Sequence, residues 1–399
     1  MKVRAYARRA ALTSLVLIVS SASSAGFAKD KDSRADAATI KARQHFFGPE
    51  NVDPVSAAVR KDRVIFSWFS NTSFAVAAGG RVFLLDSYID QEGRVPTSVQ
   101  EFVALKPEAV FIGHGHFDHL DFGGPFAAMT GATLVASALA CDQAQLDAVR
   151  VLGPTAKVNC LAAVTRGSAP GAEVNNLPLL RPAVCVKAFR HVHSAVEPPD
   201  PLYAPNPVGP VVDPRDATLF PPPPPIVHGG CGGDCGLTSI AYHFSVGDGK
   251  HKFTFLWHNT TGPYKEQAPQ IFDIARSLPK TDVELGALFS IGWLTNSERD
   301  AVLFTQALQP KVYVPTHVDL AVLNFINLHT TTPYWKNAYY RQLDIIGVPQ
   351  NQRPLVRWLY DPDAFINPGM LTFDIKDDFW ATSPAGRPAS DCELSDDED

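Results

Sequence analysis

The sequence predicts an α/β fold, and three observations carry that reading. Short apolar runs alternate with helix-patterned runs, as in "RVFLLDSYI", "SVQEFVALKP" and "AVFIG" taken in order. Each histidine-bearing segment follows an apolar run, so strand ends would gather polar groups along one sheet edge. The 399 residues are 45% hydrophobic, ample for one large core or two modest domains.

Residues 1–28 have the make-up of an export signal. Lys2, Arg4, Arg8 and Arg9 form a basic stretch, and "AALTSLVLIV" is apolar but short for a membrane span. "SASSAGFA" then offers small residues for cleavage after Ala25 or Ala28. The paired arginines raise a twin-arginine route, although their flanks match it poorly. Cleavage after Ala25 removes those four basic residues and moves the formal charge from −6 to −10. The expected location is secreted or periplasmic, with no stable membrane span after processing.

Residues 29–60 read as a polar lead. "RVIFSWF", "SFAVAAGG" and "RVFLLDSYI" read as strands, broken by Asn71-Thr72 and by Gly79-Gly80. "SVQEFVALKP" is helical in pattern and "AVFIG" is a strand. "GGPFAAMTG" reads as a short helix, "ATLVAS" as a strand and "ALACDQAQLDAVR" as a helix. "AVCVKAFRHVHSA" reads as a strand ending in two histidines. Residues 197–236 contain "PPPPP" and cannot form regular helix or sheet interior; they read as a lid or binding loop, or else a disordered insert.

"LTSIAYHFSVGDGKHKFTFLWHNTTG" then reads as a hairpin turning at "GDGK". "SERDAVLFTQAL" is a helix with an expected capping box of Ser297 and Asp300, and "KVYVPTHVD" is a strand ending in His317. The main domain spans 61–375, and residues 376–399 form an acidic tail ending in "DCELSDDED".

The cysteines are Cys141, Cys160, Cys185, Cys231, Cys235 and Cys392, an even set that permits disulfides in an exported chain. "CGGDC" predicts a small loop closed by Cys231 and Cys235, since a zinc ribbon would need a second close pair. No basic patch interleaved with aromatics occurs, so nucleic acid is not an expected partner.

The chemistry concentrates in "GHGHFDHLD", residues 113–121. His114 and His116 are two apart, which in an extended segment puts both rings on one face. Asp118 and His119 follow where the chain must turn. Imidazoles and a carboxylate suit zinc, with manganese and iron not excluded. One or two ions are expected.

This segment resembles the H-x-H-x-D-H signature of the metallo-β-lactamase superfamily. The trailing Leu120-Asp121 is similar to the branch that holds ascorbate-phosphate lactonases and the phospholipase-D-type enzymes acting on N-acyl phosphatidylethanolamines. "VFLLDSYI", "VHSA" and "GALFSIGWLTNSERDAVLFTQALQPKVYVPTHVD" resemble further parts of that branch. The resemblance implies a four-layered αββα sandwich. It also implies one metal on His114, His116 and His193, and a second on Asp118, His119 and His317. His191 competes with His193, since it shares a strand face two residues earlier.

One turn departs from the family pattern. Where an aspartate usually bridges the metals, this chain reads "WHNTTG", with Asn259 in the aspartate's register and His258 before it. A neutral amide offsets no cation–cation repulsion. A weak second site, a single working metal and His258 as a substitute ligand all stay open. Asp86 and Asp121 are expected to hold imidazole tautomers, with helix capping an alternative for Asp121. Trp257 and Trp68 are expected pocket walls.

The resemblance implies a hydrolase that uses metal-activated water to cleave an ester, lactone or related acyl bond in a partly apolar small molecule. Asp118 would orient the nucleophile and pass a proton to the leaving group. No G-x-S-x-G elbow offers a serine instead. A phosphodiesterase of the same fold is the alternative, and a metal- or ligand-binding protein without turnover is a third reading. The insert, which holds none of the expected ligands, is expected to act on substrate choice and not on metal binding.

Overall fold

The computed structural model describes residues 34–89, 95–203, 228–247, 251–318, 328–359 and 364–389. The export signal therefore lies outside the described residues, as do residues 204–227 of the insert.

Helix α1 (Ala37–Phe47) begins at Asp36, whose carboxylate accepts from the Thr39 amide at 2.7 Å. Strands β1 (Arg63–Ser70), β2 (Ser73–Ala78) and β3 (Arg81–Leu85) run as an antiparallel meander. After α2 (Val99–Leu105), β4 (Ala109–Phe111) joins β3 in parallel. Helices α3 (Phe117–Leu120) and α4 (Gly123–Thr130) lead to β5 (Thr133–Ala136), and α5 (Ala138–Leu152) leads to β6 (Cys160–Ala162).

The second half opens with β7 (Asn175–Leu177) and β8 (Val184–His191), followed by α6 (Gly233–Leu237). The expected hairpin forms, with β9 (Ser239–Val246) antiparallel to β10 (Phe253–His258). Then come α7 (Tyr264–Gln267), α8 (Gln270–Ser277), β11 (Val283–Ala287), α9 (Trp293–Asn296), α10 (Arg299–Leu308) and β12 (Val312–Thr316). Helix α11 (Leu328–Ile345), β13 (Leu355–Val356) and β14 (Thr372–Asp374) follow.

The strands make two seven-stranded sheets, ordered β14-β1-β2-β3-β4-β5-β6 and β13-β12-β11-β10-β9-β8-β7. Period-2 alternation gives each sheet an aromatic inner face, and the two faces interlock. Phe66 meets Phe255 at 4.9 Å between centroids, Phe83 meets Phe244 at 5.4 Å, and Phe111 meets Tyr242 at 5.3 Å. Burial of each such ring contributes about 1.5–3 kcal/mol.

Helices cover the outer faces. Phe102 of α2 packs between Phe46 of α1 and Phe69 of β1. On the other side Phe189, Ala241 and Leu256 meet Ile271 of α8 and Phe304 of α10. The result is the four-layered αββα sandwich.

Three expectations change. The lead is not merely polar, because α1 buries Phe46 and Phe47 in the core. Residues 376–389 are not a free tail. Trp380 packs on Phe253 and Phe373, and the Arg387 guanidinium donates to carbonyls at the ends of α8 and α10. The capping box does not form: Ser297 sits at φ 54°, its hydroxyl donates to Glu298, and Asp300 pairs with Arg299 at 2.9 Å.

Candidate metal centre

Strand ends deliver the site. The chain leaves β4 into "GHGH", and α3 then carries Asp118 and His119. His193 lies two residues past β8 and His317 one past β12. Asp86, just past β3, and His317 both hold left-handed backbone, at φ 54° and 58°. Such backbone is costly for residues other than glycine and persists where the surroundings enforce it.

Two groups of ligand atoms converge. Those of His114, His116 and His193 lie within 4.8 Å of one another, and so do those of His114, Asp118 and His119. Nε2 of His114 faces Nε2 of His193 at 3.3 Å. One oxygen of Asp118, Oδ2, lies 3.1 Å from His119 Nε2 and 3.5 Å from His317 Nε2. The geometry thus brings together all six side chains that the resemblance implies as ligands.

The surroundings fit a cation. His119 Nε2 is buried and faces the Asp118 carboxylate at 3.1 Å. Burial alone would lower the His119 imidazole, but Asp118 and Asp86 outweigh it and hold it up at about 10. Burial would likewise raise Asp118, yet His119 and His317 keep its carboxyl well below the usual range. This half of the site therefore favours positive charge at His119 Nε2. Burial drives His114 and His193 the other way, His193 to about 4, which keeps those rings neutral and able to ligate.

Asp86 organises both halves. Its Oδ2 accepts from His119 Nδ1 at 2.7 Å and from the Thr72 hydroxyl at 2.6 Å. Both carboxylate oxygens accept from Asn259 Nδ2, at 3.0 and 2.9 Å, and Asn259 Oδ1 accepts from His114 Nδ1 at 2.8 Å. The Nδ1 atoms of His114 and His119 are thus held, which turns their Nε2 atoms to the site. Asn71 Nδ2 donates to Asp118 Oδ2 at 3.0 Å. Asn71 and Thr72 read in the sequence only as a strand break; a polar pair inside an apolar hairpin was the available signal.

Other expected residues sit elsewhere. Asn259 is not between the metal ligands, since both ends of its amide are committed to His114 and Asp86. His258 points from β10 into the helix layer, with Nε2 3.1 Å from Glu284 and the ring against Phe304. His191 lies there too, its Nδ1 3.1 Å from the Tyr264 hydroxyl. Strand parity ends at His191, so His193 escapes that face. At the start of α10, burial pushes the Glu298 carboxyl up to about 7.

Trp257 and Trp68 are not pocket walls. Trp257 lies between the sheets, stacked on Tyr242, and Trp68 stacks on Phe365 at 4.4 Å. The half-exposed aromatics beside the site are Phe117, Trp293 and Phe289, whose ring stacks on His317 at 5.7 Å. Asp121 Oδ1 accepts from the His228 and Gly229 amides, so it ties the returning end of the insert to the motif. The returning end of the 197–236 insert thus packs against the histidine motif.

The two-sheet αββα sandwich is the fold that the sequence resemblance implied, and its histidines converge where the strands end. No family model matches the chain. A stretch of 70 residues is 39% identical to a UPF0173 metal-dependent hydrolase of Pyrobaculum arsenaticum, covering 18% of this chain and 31% of that protein. The chain thus spans about a third of the length of the curated relatives it matches. Among solved structures, it is similar to Igni18, a metallo hydrolase of Ignicoccus hospitalis, with 14% identity, a TM-score of 0.45, and 78% and 98% of the two chains covered. It is also similar to Zn(2+)-bound PqqB of Methylobacterium extorquens, with 12% identity, a TM-score of 0.42, and 78% and 99% covered.

Proposed function

We propose that the chain is a metal-dependent hydrolase of an ester, lactone or related acyl bond in a partly apolar small molecule. The observation that carries this reading is the convergence of five imidazoles and the Asp118 carboxylate at strand ends drawn from both sheets. The description of the Pyrobaculum relative as a metal-dependent hydrolase supports it over the stretch the two share. His114, His116 and His193 would hold one divalent ion, zinc by donor type, and Asp118, His119 and His317 a second. When bound, such an ion supplies an acidified water at neutral pH and polarises the scissile carbonyl.

The chain's own groups do the rest. Asn71 fixes Asp118, whose Oδ2 is placed to accept a proton from the attacking water and return it to the leaving oxygen. Asp86, Thr72 and Asn259 fix the rings. Phe117, Phe289 and Trp293 offer half-exposed apolar surface for the acyl part. With Asn259 engaged elsewhere, Asp118 is the one carboxylate in the ligand set, which favours acyl substrates over phosphodiesters, where two metals need more compensating charge. The disulfides described below suit an oxidising, extracytoplasmic setting.

The test is metal analysis of the purified protein with a panel of chromogenic esters, lactones, β-lactams and phosphodiesters. Metal-dependent turnover of an acyl substrate is expected and should vanish in Asp118→Asn. Turnover confined to phosphodiesters would overturn the acyl assignment, and metal without turnover would leave a binding protein.

A further inference from the structure

The predicted Cys231–Cys235 disulfide forms, and it lies against the metal loop. Cys231 N donates to Gly115 O at 2.8 Å, and Gly115 is the residue between His114 and His116. A side chain on Gly115 would meet Cys231 Sγ at 2.5 Å, Cys235 O at 2.7 Å and Cys235 Sγ at 3.1 Å. A side chain on Gly236 would strike the His116 ring. Glycine is present at both places because the disulfide loop and the histidine turn are in van der Waals contact. Gly232, Gly233 and Asp234, which the disulfide encloses, are exposed, so a reductant has access.

We propose that this disulfide is a redox-controlled clasp that positions His116 and, through the Gly115 carbonyl, the spacing of His114 and His116. The inference rests on the metal reading of the site. With the disulfide closed, the loop is a rigid wall behind the histidine turn, and the two rings are held ready for an ion. A dithiol reductant opens it. One thiolate attacks a cysteine sulfur, the other cysteine leaves as a thiolate and takes a proton, and the second reductant thiol resolves the mixed disulfide. Two electrons and two protons pass to the protein, and the reductant departs as its own disulfide. The freed segment then loses its fixed shape, and the ordering of the turn is charged to metal binding.

The experiment measures zinc affinity of the full chain by chelator competition. It compares the oxidised protein, protein reduced stepwise with a phosphine and desalted, and reduced protein reoxidised. Alkylation and mass spectrometry report which cysteines have opened. The expected result is a loss of roughly 10–100-fold in affinity, the range for supports of a metal ligand, that tracks opening of Cys231 and Cys235. It should not track opening of a second disulfide of the structure, Cys141–Cys160, and reoxidation should restore it. Cys231→Ser/Cys235→Ser should show the same loss while oxidised.

Unchanged zinc affinity when Cys231 and Cys235 are open overturns the clasp and leaves the metal reading intact. If the double variant fails to fold, stepwise reduction of the native chain still decides. An oxidised chain that binds no zinc overturns the metal reading and the clasp with it.

Discussion

His193 and His191 are two residues apart and belong to different chemistry. His193 is half-exposed, just past the end of β8, with its Nε2 facing that of His114. His191 is buried on the strand itself, with Tyr264 against one nitrogen and the ring of His258 at 6.0 Å. One region collects imidazole nitrogens around a shared carboxylate. The other interleaves imidazoles with a hydroxyl, Glu284 and phenyl rings. The difference teaches that a candidate ligand histidine here arises where the strand stops, and that a histidine still inside strand alternation becomes packing.

The largest expected effects come from crossing that divide. His116→Ala should cost more metal affinity than the roughly 10–100-fold typical of an outer hydrogen bond, while the metal-free chain keeps its melting temperature. His258→Ala should do the reverse. It leaves Glu284 buried without its imidazole, so stability should fall by roughly 3–5 kcal/mol with metal retained. Metal titration and urea unfolding of both variants check this, and metal loss from a folded His258→Ala chain would break the comparison.

A smaller effect is expected at the hinge between the regions. Asn259→Asp replaces a donor with a carboxylate where Nδ2 now sits 2.9 and 3.0 Å from Asp86 oxygens. Like charges would oppose each other, and the His114 ring would lose its fixed partner. Metal affinity should drop about tenfold. A bridging Asn259 would instead gain a tighter second metal from the same change. A rise in stoichiometry towards two in titration calorimetry would return Asn259 to the bridging role.

The smallest effect concerns Glu298, buried at the start of α10. Its carboxyl rises from 4.5 to about 7 because burial penalises its charge. The folded chain therefore binds more protons than the unfolded one between those values, and stability falls as pH rises through the window. Glu298→Gln should remove that loss. The variant should gain on the order of 1–3 kcal/mol over the parent at pH 8 and little at pH 4.5, read from urea midpoints. An equal gain at both pH values would reject this account.

Much of the candidate site was legible because its candidate ligands cluster locally. "HGHFDH" places Asp118 and three of the imidazoles in six residues, and apolar runs before His193 and His317 mark strand ends. What was not legible depends on contacts far apart in sequence. Trp257 and Trp68 read as pocket walls because proximity to a motif says nothing about which sheet face a side chain takes. The role of Asn259, read only as standing in the bridging aspartate's register, stayed open because its amide partners, His114 and Asp86, come from the other sheet. The polar lead hid α1, whose Phe46 and Phe47 find their partners only on α2 and the first sheet. The capping box failed because a local pattern yielded to Arg299, which draws Asp300 into an ion pair.

Strand β14 sets a clock on assembly. Thr372, Phe373 and Asp374 pair with Ile65, Val64 and Arg63, so the first sheet is completed by residues made long after β1. At about 10 residues per second, synthesis leaves roughly half a minute between them. Through that interval the backbone of β1 offers an unpaired edge, and strand addition from another nascent copy competes with the native partner. A chain released before Thr372 keeps every metal-ligand candidate yet lacks the strand that seals this edge, so truncation here should yield aggregation before it yields loss of the site.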